Sequence, residues 1–374
     1  MAINRVPFVD LFSQYHTIKQ DIDLAISSVI GETAFIGGKY VRKFESDFAS
    51  VLGVNDVISC ANGTDSLYII MKVLGIRPGD EVITAANSWI SSSETISQTG
   101  ATPVFVDIDP FYFSIDENLI ESRISQRTKA IIAVHFHGQM CAIDRIKAIC
   151  DKYGIYLIED CAQSHLSSLQ GVYAGLRGVA SSFSFYPGKN LGAYGDAGCI
   201  ITNDSVLADG FRMYANHGAL QKHHHLIEGI NSRMDGLQAA ILTAKLPHLA
   251  AWTEARIRNA ALYSSQLNDI EEICLPSVRP DSVHSFHLYV IRAKRREELI
   301  RYLTSKGIDT AIHYPTALPN LPAYTYLGHT PEDFPEATKA QAEILSLPMF
   351  PELAEFQIAY VCDSIRDFYR FTIN

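Results

Sequence analysis

The segment from residue 56 to residue 205 constrains the fold most, because short apolar runs alternate there with helical or turn segments. These runs are rich in β-branched residues and are apolar throughout, as buried strands are. Candidate strands are DVISC (56–60), EVITAA (81–86), PVFVDI (103–108), AIIAVHF (130–136), IYLIED (155–160), ASSFSF (180–185) and GCIITN (198–203). Helical spacing marks residues 64–75 and 142–154. Apolar strands separated by helices predict an α/β fold with a doubly wound, mainly parallel sheet.

The rest of the chain predicts a second, smaller unit. Residues 231–267 have the composition of a long helix, with Pro247 at a break or kink. From residue 284 we predict a strand (HSFHLYVIRA), a helix (RREELIRYLTSKGI), a short strand (DTAIHY) and two further helices. A chain of 374 residues, 47% of them hydrophobic, can form more than one core. We predict an N-terminal arm and large domain over residues 1–250, and a small α+β domain over residues 251–374.

Charge and cysteine usage limit the partners and the compartment. The net charge of −10 argues against nucleic acid as a partner, although a local site can still bind an anion. The seven cysteines form no CxxC pair, which favours free thiols in a reducing compartment. No run of eighteen apolar residues occurs, and no apolar core of a signal peptide is found near the start. These observations predict a cytoplasmic protein with no membrane contact.

Polar clusters follow three predicted strands, at the sheet edge where open α/β folds bind ligands. Gly63 and Thr64 could hold an anion at a helix start, or Thr64 could simply cap that helix. Asp160 could be a metal ligand, a general base, a partner of a protonated ring nitrogen or a surface cap. Lys189 could be a solvated cation or, if desolvated, a nucleophile for carbonyls. Neither a P-loop nor a dinucleotide-binding glycine motif is present, which argues against a nicotinamide dehydrogenase.

The order of these clusters resembles that of fold-type I pyridoxal-phosphate enzymes. Nearly end to end, the chain is similar to the DegT/DnrJ/EryC1/StrS family of nucleotide-sugar aminotransferases. The motifs that carry the resemblance are PFVDL (7–11), FIGGKYVRKFESDFA (35–49), NGTDSL (62–67), PGDEVITAANSW (78–89), GATPVFVDID (100–109), IEDCAQSH (158–165), SFSFYPGKNLGAYGDAG (182–198), NHG (216–218), GINSRMDGLQAAIL (229–242), HLYVIR (287–292), HYP (313–315) and LSLPMFP (345–351). The resemblance implies the fold of aspartate aminotransferase.

The resemblance also assigns roles to individual residues. Lys189 would form the Schiff base with pyridoxal 5′-phosphate and shuttle the proton, and Asp160 would bond the pyridine nitrogen and keep it protonated. Gln163 would reach the 3-hydroxyl of the ring. The remaining cofactor contacts would be Gly63, Thr64 and Ser184 on the phosphate, Trp89 on the ring face, and Asn231 reaching the phosphate from a neighbouring subunit. The protein would then be a homodimer with shared active sites.

The implied reaction is a ping-pong transfer from L-glutamate, which leaves 2-oxoglutarate and pyridoxamine 5′-phosphate, to a keto group of a nucleotide-linked deoxysugar. Gln163 stands where many members that act on 4-keto sugars have histidine, and residues 217–242 resemble members that act on dTDP-3-keto-6-deoxyhexoses. We therefore favour amination at C3. The alternative is a C4 aminotransferase for a UDP-, GDP- or dTDP-linked 4-keto-6-deoxysugar. The family context is lipopolysaccharide, polysaccharide or glycosylated-metabolite synthesis.

The sequence also contains candidates for substrate contact and features that argue against other functions. Candidates for substrate contact are Tyr186, His223, His224, His313 and Tyr314; packing between domains is the alternative for Tyr186, His313 and Tyr314. We predict no metal site, because consecutive histidines at 223–225 do not easily converge on one ion. A pyridoxamine-dependent dehydratase of the family has histidine in place of the Schiff-base lysine, and a regulatory protein that kept the fold should have lost Lys189 or Asp160. Both residues are present.

Overall fold

A computed structural model of the protein describes residues 5–371. Its strands are β1 Asp56–Cys60, β2 Glu81–Ala85, β3 Thr102–Val106, β4 Thr128–Val134, β5 Tyr156–Asp160, β6 Ser168–Leu169, β7 Val172–Tyr173, β8 Ala180–Ser184, β9 Gly198–Thr202, β10 Ala219–Gln221, β11 His224–His225, β12 Ile273–Cys274, β13 Ser282–Val283, β14 Tyr289–Ala293 and β15 Ile344–Leu347. Its α-helices are α1 Leu11–Thr17, α2 Lys19–Gly31, α3 Gly38–Leu52, α4 Gly63–Val73, α5 Ser91–Gln98, α6 Ile143–Tyr153, α7 Ser205–Ala215, α8 Gly236–Lys245, α9 Leu249–Leu267, α10 Arg296–Ser305, α11 Pro335–Glu343 and α12 Glu355–Phe371. Short 3-10 turns occupy Glu121–Arg123, Phe136–Gly138, Leu246–His248, Leu318–Asn320, Pro322–Leu327 and Pro331–Asp333.

The seven candidate strands between residues 56 and 203 form one sheet, in the order β1-β9-β8-β5-β4-β2-β3. Strands β8, β5, β4, β2 and β3 pair in parallel, and β9 runs antiparallel to both β1 and β8. Every residue of β2 and β9 is buried, because helices cover both faces of the sheet. The structure confirms the predicted doubly wound, mainly parallel α/β fold.

The helices that pack on this sheet begin and end where their capping residues require. Helix α4 begins after Asn62, whose side chain accepts a hydrogen bond from the backbone N–H of Asp65. Helix α6 ends at Gly154, which adopts the left-handed conformation. Both helices lie where the sequence predicted them.

Two predicted elements of the C-terminal half are wrong in extent. The helix expected from residue 231 begins at Gly236, because the side chain of Asp235 caps it by accepting from the N–H of Gln238 at 2.8 Å. Pro247 lies in the turn between α8 and α9, as predicted. The expected strand 309–314 is reduced to one bridge between Ala311 and Ser346, and β15 takes the place beside β14.

Apolar side chains form two large buried clusters. The first surrounds the seven-stranded sheet and also includes Leu318 and Phe334. The second surrounds β14 and α12 and also includes Val6 from the N-terminal arm. Each cluster thus takes residues from both sides of residue 250, and the domain boundary at that position stays a prediction.

All seven cysteines are free, six of them buried and Cys274 exposed. Across residues 5–371, no helix combines the length and the apolar character needed to cross a bilayer.

Candidate active site

A cavity of about 760 Å³ opens at the carboxyl ends of β4, β5 and β8. Val134, Asp160 and Ser184, which lie at the ends of these three strands, all line it. Ten of the sequence-predicted site residues lie around the cavity: Gly63, Thr64, Trp89, Asp160, Gln163, Ser184, Tyr186, Lys189, His313 and Tyr314. The fold therefore brings together residues that are far apart in the sequence, as expected for the edge where parallel strands end.

Asp160 lies on the floor of the cavity, and its side chain is held by two donors. One carboxylate oxygen accepts the backbone N–H of Ala162 at 3.1 Å, and the other accepts the hydroxyl of Ser92 at 3.0 Å. Burial raises the pKa of Asp160, while these hydrogen bonds and the positive charge of Lys189 act in the opposite direction. A buried carboxylate with fixed orientation is suited to pair with a cationic nitrogen of a ligand.

Lys189 lies in the loop between β8 and β9. The loop is closed by two backbone hydrogen bonds, from the N–H of Lys189 to the carbonyl of Tyr186 and from Ala193 to Phe185, both at 2.8 Å. Burial lowers the pKa of Lys189 to about 8, although the negative charge of Asp160 favours the protonated form. This environment favours the nucleophile over the solvated cation.

The start of α4 also lines the cavity. Asn62, not Thr64, caps the helix, so the alternative role of Thr64 as the cap is wrong. The hydroxyls of Thr64 and Ser91 lie 2.7 Å apart. A Cβ atom at Gly63 would lie only 2.8 Å from the Cβ atom of Ser184. Glycine is therefore required where the helix N-terminus meets the end of β8, and this N-terminus offers backbone N–H groups to an anion.

Gln163 presents its amide nitrogen to the cavity. Its carbonyl oxygen accepts the backbone N–H of His137 at 2.7 Å, which fixes the orientation of the amide, and its nitrogen donates to the hydroxyl of Tyr314 at 3.3 Å. The ring of Trp89 is 56% exposed, and its centroid lies 5.2 Å from that of Tyr314. These groups supply a hydrogen-bond donor and aromatic faces to a flat ligand.

Sequence reasoning did not single out several residues that line the cavity. Phe8 and Val9 reach it from the N-terminal arm, and His287 reaches it from the segment before β14. The ring of Phe8 stacks on His313 at 5.6 Å. Burial and the nearby Lys189 lower the pKa of His313 to about 4, so this imidazole is neutral. The motifs PFVDL and HLYVIR contain Phe8, Val9 and His287, but nothing in their local pattern placed them at a site.

Three predicted residues do not line the cavity of their own chain. Asn231 is exposed, and its backbone pairs with that of Asn216. His223 and His224 are exposed on the hairpin formed by β10 and β11. Their predicted roles would need a second subunit.

One buried cluster in the described part of the chain has the residue types of a metal site. Potential ligand atoms of His135, Glu159 and Cys161 lie within 4.8 Å of one another. The carboxylate of Glu159, however, already accepts hydrogen bonds from His135 and from the backbone N–H groups of Gly175, Arg177 and Gly178. The bonds to Glu159 therefore fix the loop after β7.

Comparison with known proteins gives matches along nearly the whole chain. The chain is 44% identical to the pleiotropic regulatory protein of Geobacillus stearothermophilus, with 98% of this chain and 99% of the relative covered. It is 38% identical to dTDP-3-amino-3,4,6-trideoxy-alpha-D-glucose transaminase of Streptomyces venezuelae (97% and 96% covered), and 39% identical to UDP-2-acetamido-2-deoxy-3-oxo-D-glucuronate aminotransferase of Pseudomonas aeruginosa (96% and 99% covered).

A solved structure agrees with these relatives. The crystal structure of S. venezuelae DesV superposes with a TM-score of 0.96 at 37% identity, covering 98% of this chain and 99% of that chain. The match to the DegT/DnrJ/EryC1/StrS aminotransferase family spans residues 16–366. The fold of a fold-type I transferase is thereby confirmed. The chain belongs to the DegT/DnrJ/EryC1/StrS family of pyridoxal-phosphate-dependent aminotransferases.

Proposed function

We propose that the protein transfers the amino group of L-glutamate to the C3 keto group of a nucleotide-linked deoxysugar, a dTDP-3-keto-6-deoxyhexose. The observation that carries this proposal is that one cavity contains a desolvated lysine, a buried carboxylate and a helix N-terminus. The two transaminases compared above support amination at C3, because the name of each places the nitrogen or the oxo group at position 3. They differ in the nucleotide, so the choice of dTDP rests on residues 217–242.

The cavity fits pyridoxal phosphate. Asp160 would hold the ring nitrogen, Gln163 would donate to the 3-oxygen, and Trp89 would cover the ring face. The phosphate would lie on Gly63, Thr64 and Ser184, where the close approach of α4 and β8 leaves no room for a side chain at position 63. When bound, the cofactor supplies an electron sink that acidifies the carbon beside the transferred nitrogen.

The chain's own groups then handle the protons. The Nζ atom of Lys189 takes the proton from the α-carbon of the donor and later delivers a proton to the sugar carbon that receives the nitrogen. The negative charge of Asp160 would stabilise a protonated ring nitrogen of the bound cofactor. Phe136 and Tyr314 also line the cavity, with ring centroids 5.9 Å apart, and supply apolar surface beside the reacting groups.

The lowered pKa of Lys189 predicts how cofactor loading depends on pH. The amine must be neutral to attack the aldehyde, so the rate of loading into the cofactor-free protein should rise with pH and level off above about pH 8. At an ordinary lysine pKa the rate would still be rising at pH 10. Absorbance after rapid mixing at pH 7–10 measures this rate. A rate that still rises between pH 9 and pH 10 contradicts the assignment.

A substrate panel tests the proposed reaction. The protein would be incubated with glutamate and with dTDP-, UDP- and GDP-linked 3-keto or 4-keto sugars, and the aminated carbon would be located by NMR. We expect turnover with 3-keto-6-deoxy sugars and an increase of about 10- to 100-fold in kcat/KM for the preferred nucleotide. Reactions without glutamate, or with aspartate instead, provide the donor control. Amination at C4 alone would contradict the proposed position.

One relative, from Geobacillus stearothermophilus, is named a pleiotropic regulatory protein, but the residues of this chain favour catalysis. A regulatory protein that had abandoned catalysis should have lost the groups that hold and use the cofactor. Lys189 and Asp160 are both present and line the same cavity, and the charge of each shifts the pKa of the other.

We further propose that the protein is a cytoplasmic homodimer with shared active sites. Large apolar side chains are exposed on the surface near Asn231, namely Phe35, Ile36, Leu226 and Ile227, with exposed fractions of 44–65%. The backbone of Ile36 pairs with Asp235, so this apolar surface is continuous with the segment that carries Asn231. A second copy that covers it would bring Asn231, His223 and His224 to the partner's cavity.

A further inference from the structure

A second lysine, outside the cavity, is buried even more completely than Lys189. Lys245, the last residue of α8, is 1% exposed. Burial lowers the pKa of Lys245 to about 8, while the charge of Glu352 acts in the opposite direction. A buried ammonium group is costly unless it is hydrogen-bonded, so the contacts of this side chain identify what it holds.

One contact is to the loop that carries Lys189. The ammonium of Lys245 donates to the carbonyl of Gly192 at 2.8 Å and lies 4.4 Å from the ring centroid of Tyr194. Gly192 is tightly packed, because a Cβ atom at this position would lie 2.3 Å from the carbonyl oxygen of Pro187. The carbonyl of Gly192 is therefore a fixed point three residues after Lys189.

The other contact is to the N-terminal arm. The ammonium of Lys245 also donates to the side-chain oxygen of Gln14 at 3.1 Å, and Gln14 is itself buried. Gln14 belongs to α1, which begins two residues after Val9, a residue that lines the cavity. Asp10 caps this helix by accepting from the N–H of Ser13 at 2.9 Å. The wall of the cavity and the anchor on Lys245 are thus parts of one short, ordered segment.

We propose that Lys245 is a positioning residue for the transamination. Through Gly192 it fixes the loop that presents Lys189, and through Gln14 it ties that loop to the arm that lines the cavity. The inference rests on the proposed role of Lys189. The contact with Gly192 governs where the reacting amine lies. The contact with Gln14 governs the cavity wall that Phe8 and Val9 form, which faces the sugar nucleotide.

The test compares Lys245→Met and Gln14→Leu in the cofactor-loaded protein. We expect Lys245→Met to accelerate hydrogen exchange of the backbone amides at 189–194, to shift the pH at which the absorbance of the cofactor on Lys189 changes, and to lower kcat by about 10- to 100-fold. We expect Gln14→Leu to raise the KM for the keto sugar while leaving kcat within about threefold, because it loosens only the wall. Thr243→Ala, on the same helix and bonded only to Ala239, is the matched control and should change none of these.

The outcomes distinguish positioning from simple stabilisation. A lower melting temperature with unchanged loop exchange, unchanged absorbance transition and unchanged kcat in Lys245→Met would overturn the proposal. If Lys245→Met does not fold, Gln14→Leu decides, and an unchanged KM with unchanged exchange over residues 5–17 would overturn it. A wild-type protein that aminates no sugar contradicts the proposed substrate, yet the exchange and absorbance measurements still test Lys245.

Discussion

Replacing Lys189 with alanine should lower kcat by about 10⁴-fold or more and should remove the absorbance of a covalently held cofactor. The methyl group can neither hold the cofactor nor move a proton at the reacting carbon. Borohydride reduction followed by mass spectrometry should attach the cofactor to the wild-type peptide containing residue 189 and to no peptide of the variant. Lys129→Ala is the matched control, because Lys129 is exposed on β4 and does not line the cavity. Turnover that survives in Lys189→Ala would refute the assignment.

The same variant tests whether active sites are shared between subunits. Asn231→Asp should weaken cofactor retention by placing a negative charge beside the phosphate. If Asn231 serves the partner's site, a dimer of one Lys189→Ala chain and one Asn231→Asp chain contains one intact site and one doubly damaged site. After random reassortment we expect about a quarter of the wild-type activity, since half of the dimers are mixed. No recovery on mixing would contradict shared sites.

Replacing Asp160 with asparagine should lower kcat by about 10³-fold while the cofactor stays bound to Lys189. The shape of the side chain is preserved, but the charge that stabilises a protonated ring nitrogen is lost. Loss of that charge should also lower the pKa of Lys189, since Asp160 favours its protonated form. The midpoint of cofactor loading should therefore move to lower pH.

Ser92→Ala is a milder change at the same carboxylate and is compared with Asp160→Asn. It removes one donor to Asp160 and leaves the charge, so the loss in kcat should be smaller, about 10- to 100-fold. Spectroscopic titration and steady-state kinetics measure both variants. If Asp160→Asn keeps wild-type kcat, the carboxylate does not act on the ring nitrogen.

Local sequence patterns were sufficient to predict secondary structure where that structure depends on neighbouring residues. The strands of the large sheet could be predicted because their apolar runs and the helices between them follow a regular alternation. The extent of the strand at 309–314 could not be predicted, because within this segment Ala311 forms one bridge to Ser346 and the chain then continues to His313 and Tyr314, which line the cavity. The first residue of α8 could not be predicted from the apolar pattern, because the side chain of Asp235 caps the helix and fixes its start.

The cavity was predictable only for residues that end strands or belong to recognisable motifs. Phe8 and His287 are far apart in the sequence, and only the tertiary fold brings them to the same cavity. The role of Lys245 could not be predicted from the sequence, because a lysine at the end of a helix is ordinarily solvated. Asn231, His223 and His224 do not line the cavity of their own chain, so their roles at a shared site stay predictions.

The contact between Gly63 and Ser184 separates what can change in this protein from what cannot. With 2.8 Å between a Cβ atom at position 63 and that of Ser184, and 2.4 Å between a Cβ atom at Gly198 and the backbone carbon of Asn62, single substitutions at the two glycines are blocked. Trp89 and Tyr186, which line the same cavity, are 56% and 60% exposed. Over evolutionary time, substitutions can therefore accumulate at the exposed Tyr186, whereas a side chain at Gly63 or Gly198 would require the neighbouring atoms to move.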